Sequence, residues 1–165
     1  LIFRLFSQQD FPLLLQLMHH TDVDYDLTTG NRFHPVSILI SAAIKIALVI
    51  GLGASAAAIL IAEVLLNVTA MFNHSNLKLS EGVDRILRII LVTPDMHRIH
   101  HSTDSIEHNA NFGFNFPWWD RIFGSYIDQP KATHDTIDIG IAGFQDQESI
   151  DIFSLLIQPF KNPAT

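Results

Sequence analysis

Cysteine is absent from this 165-residue sequence, and charged residues are scarce at 16% of the chain. Without cysteine the protein has no disulfide, no zinc–thiolate finger, no iron–sulfur cluster and no thiol nucleophile. The charged fraction lies below the about 25% that is usual in soluble domains. Hydrophobic residues make up 48% of the chain, which excludes a disordered polar protein. A tightly bound transition metal would therefore depend on imidazole and carboxylate ligands.

Basic residues are also few, since 10 Lys and Arg stand against 17 Asp and Glu, for a formal net charge of -7. This acidic balance argues against a nucleic-acid partner. The chain also lacks the H-E-x-x-H motif of zinc proteases, the G-x-S-x-G elbow of α/β-hydrolases and a phosphate-binding P-loop. No segment resembles a signal peptide. Because the sequence opens at Leu1 instead of Met, we expect an N-terminally truncated fragment.

A long apolar segment dominates the middle of the chain, and only two of residues 36–66 are charged. One straight helix of this length would extend about 47 Å, too long for a hydrocarbon core of about 30 Å. The Gly-Leu-Gly sequence at 51–53 instead predicts a hairpin over about 36–72, with helices at 36–50 (about 22 Å) and 54–72 (about 28 Å). The second helix is long enough to span a membrane, whereas the first is short and suits a re-entrant or tilted partner. A buried hairpin in a soluble helical protein is the alternative.

Shorter helical segments flank the hairpin. Residues 11–20 are compatible with a helix before it, and residues 81–91 after it are amphipathic at helical spacing. The amphipathic segment either lies along a membrane interface or forms an ordinary surface helix. Thr93-Pro94 predicts the start of another helix, because Pro tolerates the first helical position, and residues 151–160 predict a short amphipathic one. No repeat or linker divides the chain, so we expect residues 1–165 to form a single domain.

Several of the nine histidines are clustered rather than scattered. An H-x-x-H-H motif follows Pro94 and consists of His97, His100 and His101. Positions i, i+3 and i+4 of a helix share one face, so the three imidazoles point into one volume, as a metal ion such as Zn, Cu, Fe or Ni requires. The motif is accompanied by the doublet His19-His20 and by His74 at the polar end of the second hairpin helix.

Three further histidines stand apart from these motifs. His34 lies just before the hairpin and either makes a structural hydrogen bond there or belongs to the site. His108 and His134 are isolated in the sequence, and we expect both to be solvated surface residues.

Several short motifs occur in order along the chain. They are Arg32-Phe33-His34-Pro35, Asn73-His74-Ser75-Asn76, TPDMHRIHHS at 93–102, Asn111-Phe112-Gly113 and WDRIFGSY at 119–126. Together they resemble the sterol desaturase / fatty acid hydroxylase superfamily of integral membrane di-iron enzymes, specifically its bacterial sterol-desaturase-like branch. The resemblance covers about residues 3 to 160, and the combination of TPDMHRIHH with WDRIFG is highly specific.

This resemblance implies an all-α fold, a membrane-embedded helical bundle with a short transmembrane or re-entrant hairpin and a cytosolic His-rich cap over about 93–126. It implies O2-dependent hydroxylation or desaturation of a membrane lipid, sterol or fatty-acyl, at two irons held by imidazoles. An external reductase or small electron carrier would supply the electrons. The ligands that the resemblance assigns to iron are His19, His20, His74, His97, His100 and His101.

The first half of the chain departs from the family pattern. Phe3 and Ser7 fall where the family has the histidines of H-R-x-x-H, and Gln16 falls where H-x-x-H-H begins. Phe cannot ligate a metal, and Ser and Gln are weak oxygen ligands at best. Six imidazoles can hold one iron well or two poorly. Three hypotheses follow. The first is an active hydroxylase or desaturase, the second a non-catalytic, metal-binding membrane relative with an incomplete di-iron site, and the third a soluble helical hydrolase with a His-bound metal.

Other residues are candidates for supporting roles through the resemblance. Asp95 either orients a ligand imidazole through its second nitrogen or provides a favourable carboxylate in the first turn of its helix. Asn111 and Asp120, with the neighbouring Phe, Gly and Trp residues, are expected to shape the loop that closes the cytosolic face, by packing or by touching substrate.

Overall fold

The structure is a computed structural model that describes residues 17–22, 24–141 and 152–157. Within these ranges the chain forms eight α-helices and no strand beyond one isolated bridge between Ser102 and Ile139, which confirms the all-α prediction. The helices are α1 (Leu17–His20), α2 (Pro35–Leu52), α3 (Ala56–Asn73), α4 (Glu81–Leu87), α5 (Pro94–His100), α6 (Ser105–His108), α7 (Trp118–Phe123) and α8 (Ile152–Ile157), with a 3₁₀ turn at Thr29–Asn31.

The predicted hairpin is formed by α2 and α3, and local sequence sets its ends. His34 precedes α2 and its Nδ1 accepts a hydrogen bond from the Val36 amide, while the fixed φ of Pro35 suits the first helical position. Gly53 ends α2 with φ 63°, a left-handed conformation that glycine adopts without a side-chain clash. Ser55 then starts α3, since its hydroxyl accepts from the Ala58 amide.

The expectation of a short first helix was wrong, because α2 and α3 both contain 18 residues. At 1.5 Å per residue each extends about 27 Å, close to the thickness of a hydrocarbon core. Helix α2 is longer than predicted, since it continues through Gly51 and Leu52 and ends only at Gly53, the residue with the left-handed conformation. Both helices are therefore long and apolar enough to cross a membrane.

The side chains exposed on the hairpin indicate which medium surrounds it. No residue of α2 is buried, and in α3 only Ala70 and Asn73, at the end nearest the cap, are buried. Large apolar side chains such as Leu39 (69% exposed) and Leu60 (66% exposed) lie on this surface. A soluble protein rarely exposes an apolar surface of this extent, whereas lipid covers it favourably. This exposure argues against the soluble alternative and favours a membrane protein.

Helix α4 ends at Leu87, four residues earlier than the amphipathic pattern predicted. The difference arises at Arg88, which is 3% exposed and whose guanidinium pairs with Asp84 and donates to the Asp128 carbonyl at 2.6 Å. Residues 88–90 form a turn, and the Val92 amide bonds to the Asn115 carbonyl. A buried cation that needs these partners outweighs the helical periodicity of the following apolar residues.

The cap that follows is held by two buried polar side chains. The Asp120 carboxylate accepts hydrogen bonds from the amides of Phe112 (2.8 Å) and Gly113 (2.7 Å) and from the Ser125 hydroxyl (2.7 Å). Asn111 donates to the carbonyls of Met96 and Ile127, at 3.0 Å each, and accepts from the Ile127 amide at 2.9 Å. A Cβ on Gly113 would lie 2.7 Å from the Asp120 carboxylate, so only glycine fits there.

The apolar core is small and is formed around α5. Its members Met96, Ile99 and Val92 are at most 1% exposed. The predicted helix at 93 begins as expected, since Pro94 is its first residue and the Thr93 hydroxyl accepts from the Met96 amide. The tail prediction of 151–160 is confirmed for α8; Asp151 and residues 158–160 lie outside the described residues, as do 11–16 of the first predicted helix.

Candidate metal centre

Four buried histidines converge where the hairpin meets the cap. His19 lies in α1, His74 directly follows α3, and His97 and His101 lie in and just after α5. One ring nitrogen of each is within 4.8 Å of those of the other three. All four side chains are buried, since none is more than 6% exposed. We call this group the four-His cluster.

Helix geometry explains how the four-His cluster assembles. His97 and His101 are four residues apart, so both project from the same face of α5 and its end. His74 is placed by the last turn of α3, and two hydrogen bonds join that turn to the cap. The Asn73 amide donates to the Phe114 carbonyl at 2.6 Å, and the Thr69 hydroxyl donates to Asn115 at 3.0 Å.

Backbone carbonyls fix the orientation of two of the imidazoles. The Nδ1 of His19 donates to the Thr29 carbonyl at 2.9 Å, and the Nδ1 of His74 donates to the Ala70 carbonyl at 2.7 Å. A neutral imidazole carries one proton, so each Nε2 is left with a lone pair. Such orientation by a carbonyl behind the ring is typical of metal-ligating histidines.

The inward-facing nitrogens of three of these histidines lie within hydrogen-bonding distance of one another. The Nε2 of His74 lies 3.2 Å from the Nε2 of His19 and 3.1 Å from the Nε2 of His97. Because His19 and His74 carry their protons on Nδ1, their facing Nε2 atoms offer only lone pairs, which a metal cation between them would satisfy. Both nitrogens of His101 are also buried without a hydrogen-bond partner among the described residues.

Burial opposes protonation of the cluster. It lowers the pKa of His19 to about 3, with the neighbouring His74 and His100 adding to the effect. Burial, and after it the surrounding imidazoles, lower the pKa of His97 and His101 well below the usual value. Neutral imidazoles with converging lone pairs are ligands for a divalent transition metal such as Zn, Fe, Cu or Ni. The residues present therefore fit a metal ion.

A polar shell that sequence reasoning missed supports the cluster. Asp22 pairs with Arg32 at 2.9 Å and accepts from the Thr29 hydroxyl at 2.7 Å, which holds the carbonyl that orients His19. The hydroxyl of buried Tyr25 donates to the Asn73 carbonyl at 2.9 Å. No motif marks Asp22, Tyr25 or Thr29, although the run of Asp22, Asp24 and Asp26 after the His doublet signals a polar turn.

Gly30 allows this turn to approach α3. A Cβ there would lie 3.2 Å from the His74 Nδ1 and 3.3 Å from the Ala70 carbonyl oxygen. These are the two atoms that form the orienting hydrogen bond. A larger side chain at this position would press on that bond unless the turn moved away by a few tenths of an ångström.

Two predicted ligands, His20 and His100, lie beside the four-His cluster instead of within it. His20 stacks on His101 with ring centres 4.4 Å apart, and His100 donates from Nδ1 to the Ala110 carbonyl at 2.8 Å. The expectation for His108 was wrong, because its half-buried ring packs on His20 with ring centres 4.5 Å apart. The short helix α6 folds His108 back onto His20, and sequence spacing does not reveal that fold.

The remaining candidates lie outside the cluster. His34 caps α2, and its Nε2 donates to the Leu156 carbonyl at 3.0 Å. Asp95 pairs with Arg98 at 2.7 Å in the first turn of α5. His134 is half-buried rather than fully solvated and lines a cleft with Asp95 and Arg98. Asn111 and Asp120 hold the cap loop as described above. Phe3, Ser7 and Gln16 lie outside the described residues.

Comparison with known proteins agrees with this arrangement. The model of the fatty acid hydroxylase family matches residues 9–125, which include the hairpin and all four cluster histidines. The chain belongs to the fatty acid hydroxylase family. The resemblance found in the sequence is thereby confirmed at the level of the family.

A relative with a described activity adds to the comparison. The chain is 29% identical over 143 residues to an ornithine lipid hydroxylase, OlsE, of Rhizobium tropici. The aligned segment covers 87% of this chain and 41% of that protein, so the chain spans about two fifths of the length of the relative it matches. No solved structure matches the chain.

Proposed function

We propose that the chain provides the metal centre of an O2-dependent lipid hydroxylase or desaturase that uses His-bound iron. The Nε2 of His74 lies 3.2 Å from that of His19 and 3.1 Å from that of His97, at the end of a membrane-length helix, and this arrangement supports the proposal most directly. The family match and the relative, whose name describes hydroxylation of a lipid, agree with it.

The protein's own part in such a reaction is to hold the metal and exclude water. The four-His cluster would hold one iron, and the carbonyls of Thr29 and Ala70 keep two of its ligands neutral and correctly turned. When bound, iron supplies the activation of O2 that C–H oxidation requires. In hydroxylation one oxygen atom of O2 enters the C–H bond as a hydroxyl group and the other leaves as water. Two electrons and two protons complete that balance.

The surface of the cap favours a lipid substrate. Apolar side chains of α4, the following turn and α7 are exposed: Ile86, Ile89, Ile90, Trp118, Trp119 and Ile122. Trp and Ile on one surface are typical of a protein face that lies in the headgroup region of a bilayer. The cap also contacts α3 one turn before its end, through Thr69 and Asn115. A metal at the cluster would thus lie at the membrane surface, within reach of a lipid.

Charge distribution favours a cytoplasmic location for the cap. The turn between α2 and α3 carries no basic residue, whereas Arg32, Lys78 and Arg85 flank the hairpin on the cap side. Cytoplasmic segments near membrane helices are enriched in Lys and Arg. We therefore place the metal centre on the cytoplasmic face, where an external reductase or small electron carrier can deliver electrons.

The test is the incorporation of labelled oxygen into lipids. The full-length protein is expressed in a bacterial host under ¹⁸O₂, and total lipids are compared by mass spectrometry with those from cells that express His97→Ala. We expect a lipid class that gains one ¹⁸O atom with the unaltered protein only. Equal lipid profiles in the two cultures would contradict hydroxylation, and loss of two hydrogens without added oxygen would indicate desaturation.

A non-catalytic, metal-binding role is the second candidate. It is favoured by Phe3, Ser7 and Gln16, which occupy positions where the family pattern has His. The two candidates differ in one result, since a protein that purifies with iron and leaves the lipid profile unchanged supports the second.

A further inference from the structure

A cleft of about 240 Å³ lies on the cap, beyond the end of α3. Three segments form its wall: residues 76–78 after α3, part of α5, and residues 134–135 of the loop that follows α7. The polar residues that line it are Asn76, Lys78, Asp95, Arg98, His134 and Asp135. None of these six belongs to the four-His cluster, so this cleft is a separate feature of the cap, and we call it the cap cleft.

The size and lining of the cap cleft exclude an acyl chain or a sterol as its ligand. Leu77 is the only apolar residue among the described residues that line it. Pockets for drug-sized ligands measure about 300–1,000 Å³ and are lined predominantly by apolar side chains. A small polar group therefore fits the cap cleft, whereas the hydrocarbon part of a lipid does not.

The charges in the cap cleft are balanced. Lys78 pairs with both carboxylate oxygens of Asp135, at 2.9 and 3.0 Å, and Arg98 pairs with Asp95 at 2.7 Å. Burial lowers the pKa of His134, so its ring is neutral at physiological pH and adds no charge. Two cations and two carboxylates attract a ligand that carries both signs, whereas a ligand of one sign is repelled by two of the four groups.

Hydrogen-bonding groups of the cap cleft remain available to a ligand. The Nη1 of Arg98 donates to Asp95, and its other guanidinium nitrogens have no hydrogen-bond partner among the described residues. A guanidinium is a planar set of donors that suits a carboxylate or phosphate. Both ring nitrogens of His134 also lack a partner within the described ranges. The Asp135 carboxylate is 73% exposed and can accept from an amino group.

The cap cleft adjoins the four-His cluster through one aromatic ring. The Arg98 guanidinium lies 5.6 Å from the centre of the Tyr25 ring, whose centre lies 4.8 Å from that of His101. Residues 76–78 lie just beyond the cap end of the membrane-length helix α3, which places the cleft at the level of lipid headgroups. A headgroup in the cleft and a metal at the cluster can therefore act on one lipid molecule.

We propose that the cap cleft binds the headgroup of the lipid substrate, and that this headgroup is zwitterionic, with an amino group and a carboxylate or phosphate. Arg98 and Lys78 bind the anionic part, while Asp95 and Asp135 bind the amino group. The inference rests on the proposed function, because the ligand is taken to be the lipid that is oxidised at the four-His cluster. It defines the substrate class by its headgroup and gives a binding role to residues outside the histidine motifs.

The first experiment measures headgroup binding without turnover. The purified full-length protein in a non-ionic detergent is titrated calorimetrically with dihexanoyl-phosphatidylethanolamine, which is zwitterionic, and with dihexanoyl-phosphatidylglycerol, which is anionic. Phosphoethanolamine serves as the zwitterionic headgroup without acyl chains. Lys78→Glu reverses one charge of the cleft at a side chain that is 75% exposed, and adding Asp135→Lys restores the balance. Lys131→Glu is the matched control, because Lys131 pairs with Asp104 outside the cleft.

We expect the zwitterionic lipid to bind about 10-fold more tightly than the anionic lipid. Lys78→Glu should weaken its binding roughly 5- to 10-fold, because an attraction is replaced by a repulsion at a partly screened position. The double variant should regain the affinity, and Lys131→Glu should retain it. Under ¹⁸O₂, the lipid class that gains oxygen should be zwitterionic, and Lys78→Glu should reduce its labelling.

Other results separate this inference from the proposed function. Equal affinity for the two lipids, or an unchanged affinity in Lys78→Glu, would overturn the inference, and ¹⁸O incorporation would still support the proposed function. Equal affinity for phosphoethanolamine and the zwitterionic lipid would overturn the assignment to a lipid and indicate a free metabolite. Binding of the zwitterionic lipid without ¹⁸O in any lipid would contradict the proposed function, and with it the substrate assignment, but would retain the headgroup site.

Discussion

The Asp120 carboxylate gives the sharpest stability prediction. It is 1% exposed and accepts three hydrogen bonds of 2.7–2.8 Å, two of them from backbone amides of the loop that precedes α7. A hydrogen bond to a charged group contributes about 1.5–3 kcal/mol, and a buried amide left without a partner costs about 1–3 kcal/mol. Because these terms overlap and water can enter the space, we expect Asp120→Ala to lower the free energy of unfolding of the cap by about 3–5 kcal/mol.

Asp120→Asn separates charge from shape. The Asn side chain has nearly the same volume, but its amide group is a donor and faces one of the three donors that the carboxylate satisfied. We expect a smaller loss, about 2–3 kcal/mol, because one amide proton then opposes another. An equal effect of both substitutions would mean that the carboxylate's charge, rather than its position, holds the loop.

The two tryptophans of the sequence provide the assay. Both lie in α7, directly before Asp120, so their fluorescence reports on the cap and not on the hairpin. Denaturant titration in detergent micelles, followed by fluorescence, should show the cap unfolding earlier in Asp120→Ala. The control is Asp135→Ala, since its ion pair with Lys78 is 73–75% exposed and such pairs contribute little. Coincident curves for Asp120→Ala and the control would refute the reasoning.

Three further predictions concern the cluster and the hairpin. Gly30→Ala should weaken metal binding about 10- to 100-fold in a metal titration, because its Cβ presses on the orienting bond of His74, while Gly82→Ala, whose Cβ meets nothing within 4 Å, should not. Lys45→Ala should destabilise the hairpin by about 2.5–3.5 kcal/mol by stranding Glu63, its 2.7 Å partner, in lipid, and adding Glu63→Ala should restore stability in a double-mutant cycle. The metal-free protein should keep its full thermal stability above pH 6.5, the pKa of His in the unfolded chain. It should lose stability progressively as the pH falls toward 3, the folded pKa of His19 and His100, because the unfolded chain takes up protons first. A melting temperature that does not change between these pH values would contradict the burial of these rings.

The hairpin was predictable because its signal is local. An apolar run of fixed length, a glycine break and charged residues at the outer ends define two membrane-length helices. The ends shifted by one or two residues, since an apolar pattern does not register the capping bonds of His34 and Ser55 or the fixed φ of Pro35. The early end of α4 was not predictable, because Arg88 donates a hydrogen bond to the Asp128 carbonyl in a distant loop.

The site was predictable only where spacing along one helix decides it. His97 and His101 share a face of α5, so their common direction follows from sequence. Thr29 orients His19 through its backbone carbonyl, which any residue type could supply, and no pattern can mark it. His108 joins the imidazoles through the turn between α5 and α6, whose path depends on tertiary contacts of Glu107 and Asn111.

The central claim is that the four-His cluster binds metal at the end of α3. Iron content of the full-length protein, measured for His74→Ala and for His34→Ala, tests it most directly. Both histidines lie at the cap end of a hairpin helix, but only His74 has its Nε2 among the converging ring nitrogens. The structure predicts that His74→Ala loses iron while His34→Ala retains it. Full retention of iron by His74→Ala would contradict the account.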